Sequence, residues 1–270
     1  MSTRDLPAGL IAPSPRVFRI FQAIWVANAG ANNVKRIDAT TKVVTDTVSG
    51  FSSPYGISSD GRGGIWVADS GDNSVKRIDA TTKVVTNPVS GFSSPLGICS
   101  DGRGGIWVSN YNSVKRIDAT TKVVTNTVSG FSSSHGICSD GRGGIWVANS
   151  SGDNSVKRID ATTKVVTDTV SGFSSPLGIC SDGRGGIWVA NYAGANNVKR
   201  IDATTKVVTD TVSGFSGPHG ICSDGRGGIW VANRNANNVK RIDATTKVVT
   251  NTVSGFSIPV GYGGDAGSEV

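Results

Sequence analysis

The chain has 270 residues with a formal net charge of +7, and it contains 36 glycines but a single methionine. This composition favours strands joined by tight turns over helices. No apolar run reaches the roughly 18 residues that a membrane span needs, and the N-terminal segment, with Arg4 and Asp5, is unlike a signal peptide. We therefore expect a cytoplasmic protein without membrane contact.

The first 23 residues do not match the rest of the chain and predict an N-terminal extension. Residues 17–21 are apolar enough for a strand, but no Asp-Gly turn leads from them into Ile24 and Trp25. The regular pattern therefore begins at residue 24.

From there one phrase returns until the chain ends, and a single tryptophan marks each copy. The tryptophans are Trp25, Trp66, Trp107, Trp146, Trp188 and Trp230. Six units of about 40 residues, each with several short apolar segments, are typical of a β-propeller.

The pattern within one unit predicts four strands. In residues 54–91, short runs rich in β-branched and aromatic residues lie at 56–59, 65–68, 75–78 and 83–86, and Asp60-Gly61 supplies a turn between the first two. We therefore predict an all-β fold, a six-bladed β-propeller with four antiparallel strands per blade around a channel.

The two ends of the repeat predict how the ring closes. The first recognisable strand, at Trp25, corresponds to the second strand of a blade, and residues 259–265 align with residues 54–60. We therefore predict a propeller over residues 24–265, closed by a C-terminal strand that pairs with the N-terminal blade, with 266–270 as a tail. In the alternative, residues 17–21 fill this place and 259–270 form the tail.

The differences between units concentrate in two places, the loop after the tryptophan strand and the second residue of the first strand. In an up-and-down blade these places lie on one face, so they predict a ligand-binding mouth of the channel. The second-residue series is Tyr55, Leu96, His135, Leu177, His219 and Val260. The near-identity of the remaining positions indicates recent amplification of one blade or deliberate construction.

The phrase Pro-His-Gly-Ile-Cys-Ser-Asp-Gly at residues 218–225, followed by Ile-Trp-Val-Ala-Asn, resembles the repeat of virginiamycin B (streptogramin) lyase propellers and, more loosely, of NHL-repeat propellers. The resemblance extends from residue 24 to the end. It implies a lyase that opens a macrocyclic lactone with histidines at the channel mouth, supporting glutamates and Mg²⁺. His219 and Tyr55 stand in the Pro-His-Gly-Ile and Pro-Tyr-Gly-Ile contexts of that family, and His135 stands in the related Ser-His-Gly-Ile. Two features depart from them, because the lyases have seven blades and the single glutamate here is Glu269.

A catalytic histidine is usually oriented by a carboxylate, which this chain does not supply at the matching positions. We therefore favour a binding or scaffold module, monomeric and without metal or cofactor, that takes a small molecule or protein at the mouth. The alternative is a lyase- or hydrolase-type enzyme that uses His135 and His219 as catalytic residues, with Tyr55 and Mg²⁺. A third reading is a propeller with no specialised ligand.

The other repeated residues are interpreted structurally. The tryptophans should pack between blades. Cys99, Cys138, Cys180 and Cys222 share one position in separate sheets, too far apart for disulfides, and should be buried thiols. On the opposite face, five units carry an arginine two residues after an aspartate, and no aromatics interleave with them. We therefore expect these arginines to serve solubility, and we do not expect nucleic-acid binding; they are Arg62, Arg103, Arg142, Arg184 and Arg226.

Overall fold

A computed structural model describes residues 23–86, 88–257 and 259. We number the blades 1 to 6 along the chain. The first strands, in blades 2–6, are Pro54–Ser59, Pro95–Ser100, Ser134–Ser139, Pro176–Ser181 and Pro218–Ser223. The second strands are Ala23–Asn28, Gly64–Asp69, Gly105–Asn110, Gly144–Asn149, Gly186–Asn191 and Gly228–Asn233. The third strands are Asn33–Asp38, Ser74–Asp79, Ser113–Asp118, Ser155–Asp160, Asn197–Asp202 and Asn238–Asp243.

The fourth strands lie at the outer edge of the blades. They are Val44–Val48, Val124–Val128, Val166–Val170, Val208–Val212 and Val249–Val253, in blades 1 and 3–6. Two 3-10 turns, Ala29–Ala31 and Arg234–Ala236, are the helical elements of the described residues, which contain no helix long and apolar enough to cross a membrane. All strand pairs within the sheets are antiparallel meanders, which confirms the predicted all-β fold with six blades.

Blade 2 departs from the others at its outer edge. Its fourth strand is reduced to two isolated bridges, Val75 with Val89 and Ile78 with Val85. Pro88 stands where blade 3 has Thr127, and proline has no amide hydrogen to donate to a ladder. The predicted start of this strand at residue 83 is also wrong, because Lys83 has φ +64° and belongs to the preceding turn.

The first strands line the channel and approach one another closely. A Cβ atom at Gly97 would lie 2.4 Å from the carbonyl oxygen of His135, and one at Gly136 would lie 2.4 Å from the carbonyl oxygen of Leu177. Only glycine permits such an approach between backbones. The repeated glycine therefore fixes how each blade packs against the next.

The second strand of a blade is buried on both faces and alternates between its two neighbours. In blade 5, Trp188 and Ala190 pack in a cluster with blade 6, whereas Ile187 and Val189 pack in a cluster with Phe173 beside blade 4. Alternate side chains of a strand point to opposite faces, so one strand serves two interfaces. The predicted packing role is confirmed for the four tryptophans without solvent exposure, Trp66, Trp107, Trp146 and Trp188. Cys99, Cys138 and Cys180 are buried in the same layers as thiols.

The turn between the first and second strands ties the backbone to this core. In blade 5, Asp182 Oδ1 accepts the backbone N–H groups of Arg184 and Gly186, each at 2.8 Å, and its Oδ2 accepts the Trp188 indole N–H at 3.1 Å. The Arg200 guanidinium lies 3.7 Å from the same Oδ2. Equivalent aspartates hold the tryptophans of blades 2, 3 and 4. The repeated aspartate is therefore a structural residue.

The lysine of each third strand from blade 2 onward also has a structural role, which sequence reasoning did not identify. Lys199 Nζ donates to the carbonyl oxygen of Gly172 at 2.5 Å and lies 5.7 Å from the centre of the Phe173 ring. Such a position combines a hydrogen bond with a cation–π contact. The same contact with the linker phenylalanine recurs at Lys76, Lys115, Lys157 and Lys240.

The outward faces of the first and last blades differ from the five packed interfaces. We call them the seam, defined by Ile24 and Val26 in blade 1 and by Val253 and Phe256 in blade 6. These side chains are 50%, 39%, 40% and 45% exposed, whereas their counterparts inside the ring are buried, except the half-buried Val89 of blade 2. The predicted closing strand at 259–265 and the alternative at 17–21 lie outside the described residues, apart from Pro259.

Candidate functional site

The residues predicted to line the mouth occupy equivalent positions in consecutive first strands. Each is the second residue of its strand, in blades 2 to 6, and Val260 lies outside the described residues. Because neighbouring first strands pack side by side at this level, the five side chains follow one ring around the channel. Tyr55 is exposed, Leu177 is buried, and Leu96, His135 and His219 are half-buried. His135 and His219 are two blades apart, with Leu177 between them.

The loops after the tryptophan strands meet the linkers between blades at this same end. In blade 2 the backbone N–H of Gly71 donates to the carbonyl oxygen of Ser52 at 2.7 Å, and in blade 6 Arg234 donates to Gly217 at 3.0 Å. The prediction that the two variable segments share one face is therefore confirmed. The residues that differ between blades are concentrated at the mouth.

His135 is held by serines from two blades. Ser133 Oγ lies 3.1 Å from its Nε2 atom, and Ser109 Oγ donates to its backbone carbonyl at 2.5 Å. Burial lowers the pKa of His135, so the imidazole is neutral at pH 7. Sequence reasoning missed Ser109, although it is the one serine at a position where the other five blades have alanine. That single exception was the available signal.

His219 belongs to a cluster formed between blades 5 and 6. Its ring contacts Tyr192 edge-on, with centroids 5.8 Å apart and an interplanar angle of 84°. The Arg234 guanidinium donates to the Tyr192 hydroxyl at 2.8 Å and lies 6.0 Å from the centre of its ring. We call these three residues the mouth cluster. Tyr192 and Arg234 stand at the same repeat position in successive blades, directly after the second strand.

A further departure from the repeat supports the mouth cluster. Gly217 replaces the serine that the linkers of blades 2 to 5 carry, and its φ is +61°. A Cβ atom there would lie 2.6 Å from the side-chain nitrogen of Asn235, the residue after Arg234. The glycine therefore makes room for the loop that carries Arg234.

The carboxylate at the end of a second strand is engaged in the fold. Asp69 accepts a hydrogen bond from Lys76 Nζ at 2.7 Å and from the backbone N–H of Ser52 at 2.8 Å. Burial raises the pKa of Asp69, although the lysine opposes this shift. Burial alone would lower the pKa of Lys76, but hydrogen bonds to Asp69 and Asp72 raise it overall. In blade 5 Asn191 has the same place and accepts the N–H of Ser174 at 2.5 Å.

The mouth residues do not fit a Mg²⁺ site. Magnesium prefers carboxylate and other oxygen ligands in octahedral geometry. The described mouth positions instead carry tyrosine, leucine and histidine, and Asp69 is held by Lys76. Within the described ranges, no group of three or more His, Cys, Asp or Glu side chains is arranged to hold a metal ion.

Six four-stranded units or their reduced forms, arranged around a channel with a variable mouth, define the class of six-bladed β-propellers. The model of the virginiamycin B lyase family matches residues 22–261, and the chain belongs to this family. Among solved structures, hydrazine synthase from Kuenenia stuttgartiensis is similar with a TM-score of 0.75 and 15% identity, over 86% of this chain and 83% of that one. At this identity the likeness shows the fold alone. No curated protein matches the chain.

Proposed function

We propose that this propeller is a binding module that takes a small molecule or a protein segment at the mouth of its channel. One observation carries the proposal. Side chains that distinguish otherwise near-identical blades converge at the mouth and contact one another, as Tyr192, His219 and Arg234 do. The repeated polar residues, by contrast, are bound within the fold, as Asp182 and Lys199 are.

The chemistry of the mouth supports this proposal. Ligand sites combine apolar surface with a few polar groups that fix orientation. Leu96 and Tyr55 supply apolar surface around the ring, and His135 and His219 supply imidazoles. Burial keeps His135 neutral, and a neutral imidazole has one donor and one acceptor nitrogen.

Membership of the virginiamycin B lyase family favours a second candidate, a lyase- or hydrolase-type activity. In it His135 or His219 would act as the general base on a macrocyclic lactone. A general base is usually oriented by a second group, and the group beside His135 Nε2 is the hydroxyl of Ser133, 3.1 Å away. A hydroxyl orients an imidazole but does not stabilise its protonated form as a carboxylate does. We therefore place binding first.

A fragment screen followed by amide NMR tests the binding proposal. We expect at least one fragment to shift the amide signals of the first-strand residues around His135 and Leu177. The double variant H135A/H219A should bind that fragment about tenfold more weakly. The control is R62A/R103A, which alters exposed arginines in the turns on the opposite face. Hits that map to those turns, or that bind both double variants equally, would contradict a binding site at the mouth.

Mass spectrometry of a streptogramin B lactone incubated with the protein tests the second candidate. Ring opening by water adds one water molecule to the lactone, and lyase opening leaves the mass unchanged but alters its retention. The enzyme candidate predicts a linear product that H135A/H219A abolishes. Product formed at an unchanged rate by this variant, or no product from the wild type, rejects it.

We further propose that the protein acts as a cytoplasmic monomer. The buried thiols of Cys99, Cys138 and Cys180 support a reducing compartment. Sedimentation of the purified chain at several concentrations measures the oligomeric state directly.

A further inference from the structure

We propose that the mouth cluster of Tyr192, His219 and Arg234 is a subsite for the carboxylate group of a small organic acid with an apolar body. This inference rests on the proposed binding function of the same mouth, and it adds the chemical class of the ligand. It follows from the hydrogen-bonding capacity, the charge and the fixed position of Arg234.

The hydrogen bonds of the mouth cluster leave donors in place for an anion. A guanidinium carries five N–H groups, and one of those on Arg234 donates to the Tyr192 oxygen at 2.8 Å. Because that oxygen accepts from Arg234, the Tyr192 hydroxyl hydrogen can point to another acceptor. A planar guanidinium beside a hydroxyl donor matches the two oxygens of a carboxylate.

The charge of Arg234 distinguishes it from the repeated arginines of the third strands. Arg200 lies 3.7 Å from Asp182, and Arg241 lies 3.1 Å from Asp224. Across the ranges that the structure describes, Arg234 forms no such ion pair, although it is half-buried. A partly desolvated cation gains free energy when an anion joins it. Arg234 therefore favours an anionic ligand.

The loop that carries Arg234 is held in place before any ligand arrives. The backbone N–H groups of Arg234 and Asn235 donate to the carbonyl oxygens of Gly217 and Ser216, each at 3.0 Å. Asn237, which follows the 3-10 turn, adopts φ +52°, and its backbone N–H donates to the carbonyl oxygen of Arg234. A donor fixed in this way loses little conformational entropy on binding.

The surroundings select a monocarboxylate over a phosphate. One guanidinium balances one negative charge, whereas a phosphate dianion is usually bound by several cations or by a nest of backbone N–H groups. The mouth ring also carries Tyr55, which is exposed, and Leu96, which is half-buried, and these side chains supply apolar surface for the rest of the molecule. We therefore expect an acid whose apolar or aromatic body extends over the channel.

Titration with 3-phenylpropionate, followed by the ring signals of Tyr192 and His219, tests this inference. Its neutral amide has the same shape without the charge. We expect the acid to shift both sets of ring signals and the amide to bind about tenfold more weakly. R234Q should weaken binding of the acid by about tenfold and leave the affinity for the amide unchanged. The matched control R226Q, in the exposed turn of the same blade, should behave as the wild type.

A second variant protects the test against local misfolding. Y192F keeps the aromatic contact with His219 but removes the hydroxyl. It should therefore weaken binding of the acid about threefold without altering binding of the amide. Equal affinities for acid and amide, or an R234Q protein that binds the acid like the wild type, overturn the inference. Inorganic phosphate that displaces the acid at equal concentration also overturns it. If neutral fragments still bind around His135 in any of these cases, the binding function stands without the carboxylate subsite.

Discussion

The packed interface between blades 4 and 5 and the seam contain the same residue types at the same repeat positions, yet their burial differs. Phe173 is 9% exposed in the interface, whereas Phe256 is 45% exposed at the seam. Ile187 has no exposure, whereas Ile24 is 50% exposed. The sequence around each residue is nearly identical, so the difference arises from the neighbouring blade.

This comparison shows where the stability of the propeller resides. Each blade has one face made of tryptophan, valine and phenylalanine and another made of isoleucine and valine, and neither is buried until a neighbour covers it. In repeat proteins of this kind stability is close to a sum of unit and nearest-neighbour terms. The seam therefore shows the exposure of a blade face that no neighbouring blade covers, and each packed interface can be compared with it.

Removal of residues 258–270 should have the largest effect on this comparison. If those residues pair with blade 1, as the alignment of 259–265 with 54–60 predicts, their loss leaves a sheet edge unpaired. We expect the shortened chain to associate or to unfold at a lower temperature, as measured by light scattering and thermal denaturation. A monomer with an unchanged melting temperature would show that the C-terminal segment does not close the ring.

Phe173→Ala and Phe256→Ala form a matched pair with the next largest effect. Truncation of the buried Phe173 removes a core side chain and its contact with Lys199, so we expect a loss of about 3–5 kcal/mol in the free energy of unfolding. Phe256 is already 45% exposed, so Phe256→Ala should lower the free energy of unfolding by less than about 1 kcal/mol. Urea denaturation of both variants measures the difference. Equal losses would mean that the seam is packed in solution.

Asp182→Ala and Asp224→Ala test how much the aspartate in the turn between the first and second strands contributes to the free energy of unfolding. The Asp182 side chain is only 6% exposed and bonds two backbone amides and the Trp188 indole, so its loss should destabilise the protein by about 2–3 kcal/mol. Asp224 is more exposed and bonds its turn and Arg241, so we expect about 1 kcal/mol. Thermal denaturation monitored by tryptophan fluorescence compares them. A larger loss from Asp224→Ala would contradict a stabilising role for the indole hydrogen bond.

Most of the fold could be predicted from the sequence because it is local and repeated. The tryptophan spacing indicated six units, strand alternation indicated four strands in each, and the segments that vary indicated the mouth. The strand prediction failed where one repeat departs from the others. In blade 2, Pro88 stands in place of a threonine, and the fourth strand is reduced to isolated bridges.

The candidate site was predicted only in outline. The five described mouth positions are equivalent residues of consecutive first strands, but the contact of Arg234 with Tyr192 joins residues 42 positions apart. Gly217 and Asn235 matter to each other only because a linker and a loop meet. The contact of Lys199 with Phe173 depends on two blades in the same way. Such pairings follow from the ring and are not written in any one repeat.

The equivalence of the interior interfaces has a consequence for engineering. Since blades 3, 4 and 5 offer their neighbours the same apolar faces, their order along the gene can be permuted without a new packing problem. A permutation that exchanges blades 3 and 4 would exchange the places of Leu96 and His135 around the channel while Leu177 stayed in place. A library of genes with different blade orders would therefore change which residues are neighbours at the mouth, and it would leave the packing between blades unchanged.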